Sequence, residues 1–326
     1  MAEVAERLGF STGRQVEVLR SLENFVREQI DQHLSRRKLW FPNDLTAADR
    51  SGDDDALIRN LRGAAKGLPA AVLVAVALNL LTEEGLPHFH RLIATHMGAD
   101  STWCEWNNIW TAEEDRHGCA LRDYVRDARL FEMRPLEQMQ YQYIEAGFNP
   151  DWEGDPYRLL AYTSLQERAT QIAHANTGRQ AGPVEPHLQR VLAHLAGDES
   201  RHYAFYRSAF GAVLEQDPDQ ALQSLLKIAP ALAMPGHTID GYQQMADVVR
   251  RADIYGPRHY QKIVEELLSF WRIGELKNLS AVGAAAQDKL MKIPRRLERM
   301  ADYLEARTRG LKSFSFPFLN EGPLSV

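Results

Sequence analysis

Hydrophobic residues recur along most of this chain every three or four positions, a spacing that places them on one face of a helix. Glycine, proline and clusters of Asn and Asp separate these periodic segments. No segment shows the two-residue alternation that is typical of a β-strand. The pattern predicts helices near residues 12–34, 54–66, 69–97, 103–128, 134–147, 156–179, 185–214, 218–228, 239–252, 257–272 and 284–308.

These segments predict an all-α protein of about 9–11 helices with a four-helix bundle at its centre. No linker is long enough to force a domain boundary, so residues 1–326 are expected to form a single domain. The final segment, 313–326, contains two prolines, a glycine and several aromatic residues. It is predicted to form an extended arm.

The longest hydrophobic run, Leu68–Leu81, contains 14 residues and is too short to span a bilayer. A buried core helix that continues towards residue 97 is the better interpretation. Pro87 stands four residues after Glu83, and its ring would clash with the Glu83 carbonyl. We therefore expect a disturbed helix at this point, a defect often found near functional sites.

Composition narrows the possible functions. With 326 residues, 44% of them hydrophobic, the chain can form a sizeable core. The net charge of −6 argues against a nucleic-acid-binding protein held by bulk electrostatics. Two cysteines, Cys104 and Cys119, exclude a disulfide framework and a four-cysteine metal site, and fit a reducing intracellular setting.

A short motif occurs twice. The first copy is Glu113-Glu114-Asp115-Arg116-His117 and the second is Asp198-Glu199-Ser200-Arg201-His202, so both have the form acid-Glu-x-Arg-His. The Glu and His of each copy lie three residues apart, hence one turn apart on one helix face, where both can bind the same metal ion. One such pair on a surface helix is usually just solvated, but two matching copies favour a metal site.

A carboxylate site for two metal ions in a four-helix bundle needs one further glutamate from each of two other helices. Between Tyr157 and Val184 the acidic residue is Glu167; between Gly67 and Gly98 the acidic residues are the neighbours Glu83 and Glu84. A carboxylate on a buried helix is costly unless it is paired or bound to a metal. Glu167 and one of the two neighbours are therefore the predicted additional ligands.

Carboxylate and imidazole ligands without cysteine suit iron, or less favourably manganese, and do not suit structural zinc. Four carboxylates would also balance two ferric ions bridged by an oxide. His90 lies seven residues after Glu83, on the same helical face, and is a further candidate to line the site.

The residues around these ligands are more specific than the ligands themselves. They resemble the soluble acyl-[acyl-carrier-protein] desaturases, ferritin-like di-iron enzymes known best from plant plastids, from about Trp40 to about Arg307. The resemblance is carried by the second motif and by the segments Thr82-Glu83-Glu84-Gly85-Leu86-Pro87, Trp110-Thr111-Ala112-Glu113-Glu114-Asp115-Arg116-His117-Gly118, Ser164-Leu165-Gln166-Glu167-Arg168-Ala169-Thr170 and Asn176-Thr177-Gly178-Arg179-Gln180.

The resemblance implies two iron ions and selects Glu83 over Glu84. The implied metal ligands are Glu83, Glu114, His117, Glu167, Glu199 and His202. Thr170 matches a threonine beside the oxygen-binding face and is implied to relay protons. Trp40 and Asp198 match residues proposed to carry electrons to the His117 side. Asp198 is expected to accept a hydrogen bond from a ligand imidazole, and the internal repeat suggests the same role for Glu113.

The implied reaction uses O2 and two electrons to introduce a cis double bond into an acyl chain on acyl carrier protein. The resemblance also implies that ferredoxin is the electron donor and that the enzyme is a homodimer. The basic clusters Arg36-Arg37-Lys38 and Lys292–Arg299 are candidate docking sites for these acidic proteins. Two alternatives remain open at this level: a di-iron oxygenase that hydroxylates the carrier-bound chain, and a ferritin-like iron-binding protein.

The chain departs from the plant pattern in three places. The stretch between Glu84 and Trp110 is shorter, the third position of the first motif is Asp115, and Ser200 replaces a basic residue of the plant pattern. Chain length and double-bond position therefore stay open. The acidic N-terminus has no apolar signal segment. A bacterial cytoplasmic protein is expected, or a plastid protein if a transit peptide has been removed.

Overall fold

The computed structural model describes residues 12–46, 54–97, 101–148, 150, 152, 154–231, 235–307, 310–320 and 322–326. The N-terminal residues used for the signal-peptide prediction lie outside these ranges. The helices are α1 Thr12–Ser21, α2 Glu23–Arg36, α3 Pro42–Thr46, α4 Asp54–Ala65, α5 Ala70–Glu83, α6 Leu86–Met97, α7 Thr102–Ala128, α8 Met133–Ala146, α9 Pro156–Ala181, α10 Pro186–Gln216, α11 Pro218–Ile228, α12 Tyr242–Arg251, α13 Pro257–Phe270, α14 Ala281–Leu290 and α15 Ile293–Arg307. Short 3₁₀ turns cover Pro235–Thr238 and Ile273–Glu275.

Local chemistry explains where the three longest helices begin. The Ser101 hydroxyl accepts the Cys104 amide at the start of α7, and the Asp155 carboxylate accepts two amides at the start of α9. Glu185 does the same before α10, and proline occupies the first helical position of both α9 and α10. Each cap satisfies amides that would otherwise lack a partner, because the first turn of a helix has no carbonyls to bond them.

The prediction of a single helix near residues 69–97 is wrong, because α5 ends at Glu83 and a new helix, α6, begins at Leu86. Gly85 occupies the break, where a Cβ atom would lie 2.7 Å from the Tyr143 ring and hydroxyl. Pro87 therefore stands in the first turn of α6, where a missing amide proton has no cost. The segment near 12–34 is likewise divided, into α1 and α2.

Four helices, α5, α7, α9 and α10, form the central bundle, and its hydrophobic core is divided into two clusters. On α7, Trp103, Trp106 and Trp110 belong to the first cluster, whereas Ala120 and Leu121 belong to the second. Along α10 the order is reversed, because this helix supplies residues 188–195 to the second cluster and residues 203–214 to the first. On both helices the repeated motif lies between the two clusters, so a polar layer separates them.

The end of the chain forms a small hairpin on this helical body. Strands β1 Ser313–Phe314 and β2 Leu324–Ser325 pair antiparallel, with Ser313 opposite Ser325. Three aromatic side chains of this segment are buried, namely Phe314, Phe316 and Phe318. The Lys312 ammonium lies 2.8 Å from the Asp247 carboxylate on α12 and ties the hairpin to the body.

Among the described residues no single helix is long and apolar enough to cross a membrane. The bent pair Asp55–Ala65 and Ala70–Glu83, at 115° to one another, meets that test by length and composition alone.

Candidate metal centre

The six residues implied as ligands meet in the polar layer. One set of donor atoms comes from Glu83, Glu114, His117 and Glu199, and the other from Glu114, Glu167, Glu199 and His202. Within each set the donor atoms all lie within 4.8 Å of one another, and every residue is buried. Glu114 and Glu199 belong to both sets, so the arrangement offers two adjacent metal positions that share two carboxylates.

Both motif histidines direct Nδ1 into this cluster. The Nδ1 atom of His117 lies 3.5 Å from Glu83, 3.4 Å from Glu114 and 3.3 Å from Glu199. The Nδ1 atom of His202 lies 2.8 Å from Glu114 and 3.5 Å from Glu167. Glu114 therefore lies near both histidines, whereas Glu83 belongs to the His117 side and Glu167 to the His202 side.

These donor atoms lie close together, but several of them form no hydrogen bond of acceptable geometry within the described part of the chain. Among the described residues none provides a hydrogen-bond partner of acceptable geometry for His117 Nδ1, His202 Nδ1, Glu114 Oε1 or Glu167 Oε2. Buried polar atoms almost always have a partner, so four convergent exceptions point to a missing group. The residues present fit a metal ion that accepts oxygen and nitrogen donors.

The electrostatics lead to the same conclusion. Burial raises the pKa of Glu167 well above its usual range, and the neighbouring Glu199 raises it further. Burial also raises the pKa of Glu114, again with a contribution from Glu199. For His117 and His202 burial disfavours the charged form, but the surrounding carboxylates outweigh it and the pKa of each imidazole is well above its usual value. The metal-free cluster therefore holds protons, because its carboxylates cannot all be ionised without a compensating cation.

The Nε2 atom of each histidine faces away from the metal position. It contacts the acid with which the other copy of the motif begins. His117 Nε2 lies 3.2 Å from Asp198, and His202 Nε2 lies 2.9 Å from Glu113. Burial opposes ionisation of Asp198 and Glu113, but the hydrogen bonds from these imidazoles lower the pKa of both. Such bonds fix the ring so that Nδ1 faces the metal position.

Trp40 extends the Asp198 side towards the surface. Its indole N–H donates to Asp198 Oδ2 at 2.8 Å, and its ring lies parallel to the His117 ring with centroids 6.2 Å apart. The Arg116 guanidinium lies 4.9 Å from the Trp40 ring centre and 3.2 Å from Asp198. Trp40, Asp198 and His117 are thus in continuous contact.

On the Glu113 side the sequence analysis missed His33, and it placed Arg37 in a basic docking cluster without its contact to Glu113. His33 Nε2 lies 3.0 Å from Glu113 Oε2, and the Arg37 guanidinium lies 3.1 Å from Glu113 Oε1. Donor atoms of His33, Glu113 and His202 come close together, because both imidazoles donate to one carboxylate. The sequence signal was weak: a histidine and an arginine four residues apart, close before Trp40.

Three further hydrogen bonds hold the ligand carboxylates. The Trp110 indole donates to Glu167 Oε1 at 3.0 Å, and His174 Nε2 lies 2.9 Å from Glu83 Oε1. Both contacts were missed, although His174 follows Glu167 by seven residues on one helix face. The half-buried Thr170 hydroxyl donates to Glu199 Oε2 at 2.9 Å.

Two residues considered from the sequence lie elsewhere. Glu84 forms an ion pair with Arg122 and belongs to neither donor set. His90 is placed against Thr111, with Nδ1 2.8 Å from the hydroxyl, and also lies outside both sets.

Comparisons with known proteins agree with this geometry. The family model described as fatty acid desaturase matches residues 14–319. A Mycobacterium tuberculosis protein that is named as an acyl-[acyl-carrier-protein] desaturase, DesA1, is 33% identical over 299 residues, covering 89% of this chain and 88% of that protein. The chloroplastic stearoyl-[acyl-carrier-protein] 9-desaturase of Ricinus communis is 32% identical over 324 residues, covering 94% of this chain and 81% of that protein.

The fold is matched as well. The X-ray structure of DesA2 of Mycobacterium tuberculosis superposes with a TM-score of 0.60 at 21% identity, covering 79% of this chain and 96% of that one. The predicted all-α, ferritin-like architecture is confirmed.

Proposed function

The chain belongs to the fatty acid desaturase family, and we infer that it is an acyl-[acyl-carrier-protein] desaturase. The observation that carries this function is the pair of buried donor sets that share Glu114 and Glu199. Hydroxylation and iron storage are not favoured, because relatives matched over most of their length are named desaturases.

We propose that the metal is iron, with one ion held by Glu83 and His117 and the other by Glu167 and His202, and with Glu114 and Glu199 available to both. When bound, the iron pair supplies the O2 activation that protein side chains cannot perform. In the balanced reaction O2 accepts four electrons, two from the acyl chain and two from an electron donor. With the two hydrogens lost by the acyl chain and two protons from solution, two water molecules and one carbon–carbon double bond result.

The chain's own residues provide orientation and protons. Asp198 and Glu113 fix the two ligand imidazoles, and the Thr170 hydroxyl holds a proton beside Glu199. The hydrophobic clusters on both sides of the polar layer exclude water. The carbons of the acyl chain, and not water molecules, are therefore the groups that the metal site can oxidise. Thr170 is accordingly proposed as the proton relay.

Electrons are proposed to arrive through Trp40. The segment before it carries Arg36 and Lys38 on the surface, and Leu39 and Phe41 on either side are 57% and 52% exposed. A surface that combines positive charge with exposed apolar side chains suits an acidic redox protein, and ferredoxin is the proposed donor.

Acyl carrier protein is the substrate carrier that the relatives' names indicate. The exposed basic residues Lys292, Arg295, Arg296 and Arg299 at the start of α15 are the proposed docking site. A cavity of about 540 Å³, lined by Phe148, Trp152 and Tyr162 among others, adjoins α9 on the N-terminal side of Glu167 and is proposed to take part of the acyl chain. The homodimer and the bacterial cytoplasmic location stay predictions of the sequence.

The decisive experiment incubates the iron-loaded protein with stearoyl- and palmitoyl-carrier protein, ferredoxin, a reductase and O2. Mass analysis of the acyl chains should show the loss of two hydrogens, whereas a gain of one oxygen would indicate hydroxylation. The Glu167→Ala variant serves as the matched control without a complete metal site. If iron is fully loaded and no acyl chain is changed, the desaturase assignment is overturned.

A further inference from the structure

His174 is a buried imidazole, 1% exposed, that lies between the ligand-bearing helices α5 and α9. Its Nε2 atom is 2.9 Å from Glu83 Oε1 and 3.8 Å from Glu199 Oε1. The other oxygen of Glu83, Oε2, faces His117 Nδ1. His174 therefore holds the carboxylate oxygen of Glu83 that the cluster does not use.

Asn79 contacts the other ring nitrogen of His174, and the orientation of its amide selects which nitrogen carries the proton. It lies one turn before Glu83 on α5 and is 9% exposed, with Nδ2 3.2 Å from His174 Nδ1. An amide N–H at Nδ1 requires a lone pair there, so the ring proton is on Nε2 and points at Glu83. If the Asn79 amide were reversed, its oxygen would face Nδ1 and require a proton on that nitrogen. Nε2 would then present a lone pair to the Glu83 carboxylate, unless the ring carried a proton on both nitrogens and was charged. The donor to Glu83 is thus fixed by a neighbour on Glu83's own helix.

The second non-motif glutamate is held in a parallel way. Glu167 Oε1 accepts the Trp110 indole N–H at 3.0 Å, while Oε2 faces His202. Glu83 and Glu167 come from different helices, yet each has Oε1 bound by a ring N–H from an adjacent helix. Both of the glutamates outside the repeated motif are therefore held by a ring donor on the oxygen that faces away from the motif histidine.

We propose that Asn79 and His174 form a positioning pair that presents Glu83 Oε2 to the metal position on the His117 side, and that this position depends on the pair for its affinity. The inference rests on the proposed function, because it assumes that metal is bound at this cluster. A carboxylate without the bond at Oε1 would rotate among several orientations, and fixing one of them favours binding. Losing a hydrogen bond to a metal ligand typically lowers metal affinity by about 10- to 100-fold.

The test is a titration of the whole, metal-free protein with Co²⁺ under anaerobic conditions, followed by visible absorption and circular dichroism. The wild type should bind two ions. His174→Leu should bind one of them about 10- to 100-fold more weakly. His174→Gln, whose amide N–H can replace Nε2–H, should recover most of the loss, and Asn79→Leu should give a smaller loss. Trp110→Phe should weaken the other ion and change different spectral bands.

Two further measurements separate positioning from general damage. His88 is a buried histidine whose Nε2 lies 3.2 Å from the Tyr143 carbonyl, outside the cluster, so His88→Leu is the matched control. The thermal midpoint of each metal-free variant reports folding independently of metal.

Each outcome decides the proposal. It is overturned if His174→Leu and Asn79→Leu bind both ions as tightly as the wild type. It is also overturned if His88→Leu loses one ion to the same extent, or if His174→Gln recovers nothing while remaining folded. A wild type that binds no metal would instead overturn the proposed function.

Discussion

Glu113 and His202 come from different copies of the repeated motif, and their side chains meet at 2.9 Å. Asp198 and His117 repeat the contact in the opposite direction at 3.2 Å. Each copy therefore supplies the histidine of one metal position, a glutamate that both positions share, and the acid that orients the histidine of the other position. This exchange explains why both copies keep an acid directly before the ligand glutamate.

Replacing Glu167 tests the ligand set. Glu167→Ala removes a carboxylate that belongs to one donor set, so bound iron should fall from two ions per chain to one or fewer. Iron is measured by elemental analysis after anaerobic loading. Glu84→Ala is the control, because Glu84 pairs with Arg122 outside the cluster. An unchanged content of two ions in Glu167→Ala would remove Glu167 from the ligand set.

Replacing Trp40 tests the electron path. Trp40→Phe deletes the indole N–H that donates to Asp198, so turnover with ferredoxin should slow by about tenfold or more, an effect of roughly 1.4 kcal/mol on the barrier. A single turnover of chemically reduced protein should keep its product yield. Trp103→Phe is the control, because that buried indole donates to the Leu19 carbonyl. Equal slowing of both variants would contradict the path.

Replacing Thr170 tests the proton relay. Thr170→Val keeps the shape of the side chain and removes the hydroxyl that donates to Glu199, so product formation should slow by about tenfold while bound iron is unchanged. Thr163→Val is the matched control, since the buried Thr163 hydroxyl bonds only carbonyls of its own helix among the contacts described. A rate equal to that of Thr163→Val would exclude the relay.

The contact between the C-terminal hairpin and α12 should weaken in acid. Burial alone would raise the pKa of Asp247, but Lys312 and two arginines lower it from 3.8 to about 2. A carboxyl with a lowered pKa stabilises the fold above its ordinary pKa and loses that contribution as pH falls from about 4 to about 2. After allowance for solvent screening the contribution is about 1–2 kcal/mol.

The measurement is amide hydrogen exchange at Lys312 and Val326, whose amides donate to one another's carbonyls and close the hairpin. The protection factors, which are corrected for the intrinsic pH dependence of exchange, should fall below pH 4, and Asp247→Asn should show the lower protection already at neutral pH. Asp288→Asn, a change at an exposed carboxylate on α14, should have no effect on the hairpin. Identical exchange in Asp247→Asn and the wild type would show that the ion pair does not hold the hairpin.

Local sequence signals predicted the helices and the repeated motif, because a helix face and a one-turn spacing are visible within a few residues. Geometry could not choose between Glu83 and Glu84; the resemblance did, and the structure puts Glu83 in the cluster. The break at Gly85 was underestimated, since it depends on the Tyr143 ring from a distant helix. His33 and His174 were missed because they are 80 and 91 residues from the carboxylates they bind. No local pattern records such a contact between helices.

The polar layer between the two hydrophobic clusters has a consequence for the life of the protein in a cell. A newly made chain must hold buried carboxylates and imidazoles together until metal arrives, and ligand binding stabilises only the folded state. When iron is scarce, more of the chain should be open to proteases. The supply of metal would then influence the amount of enzyme through its rate of degradation.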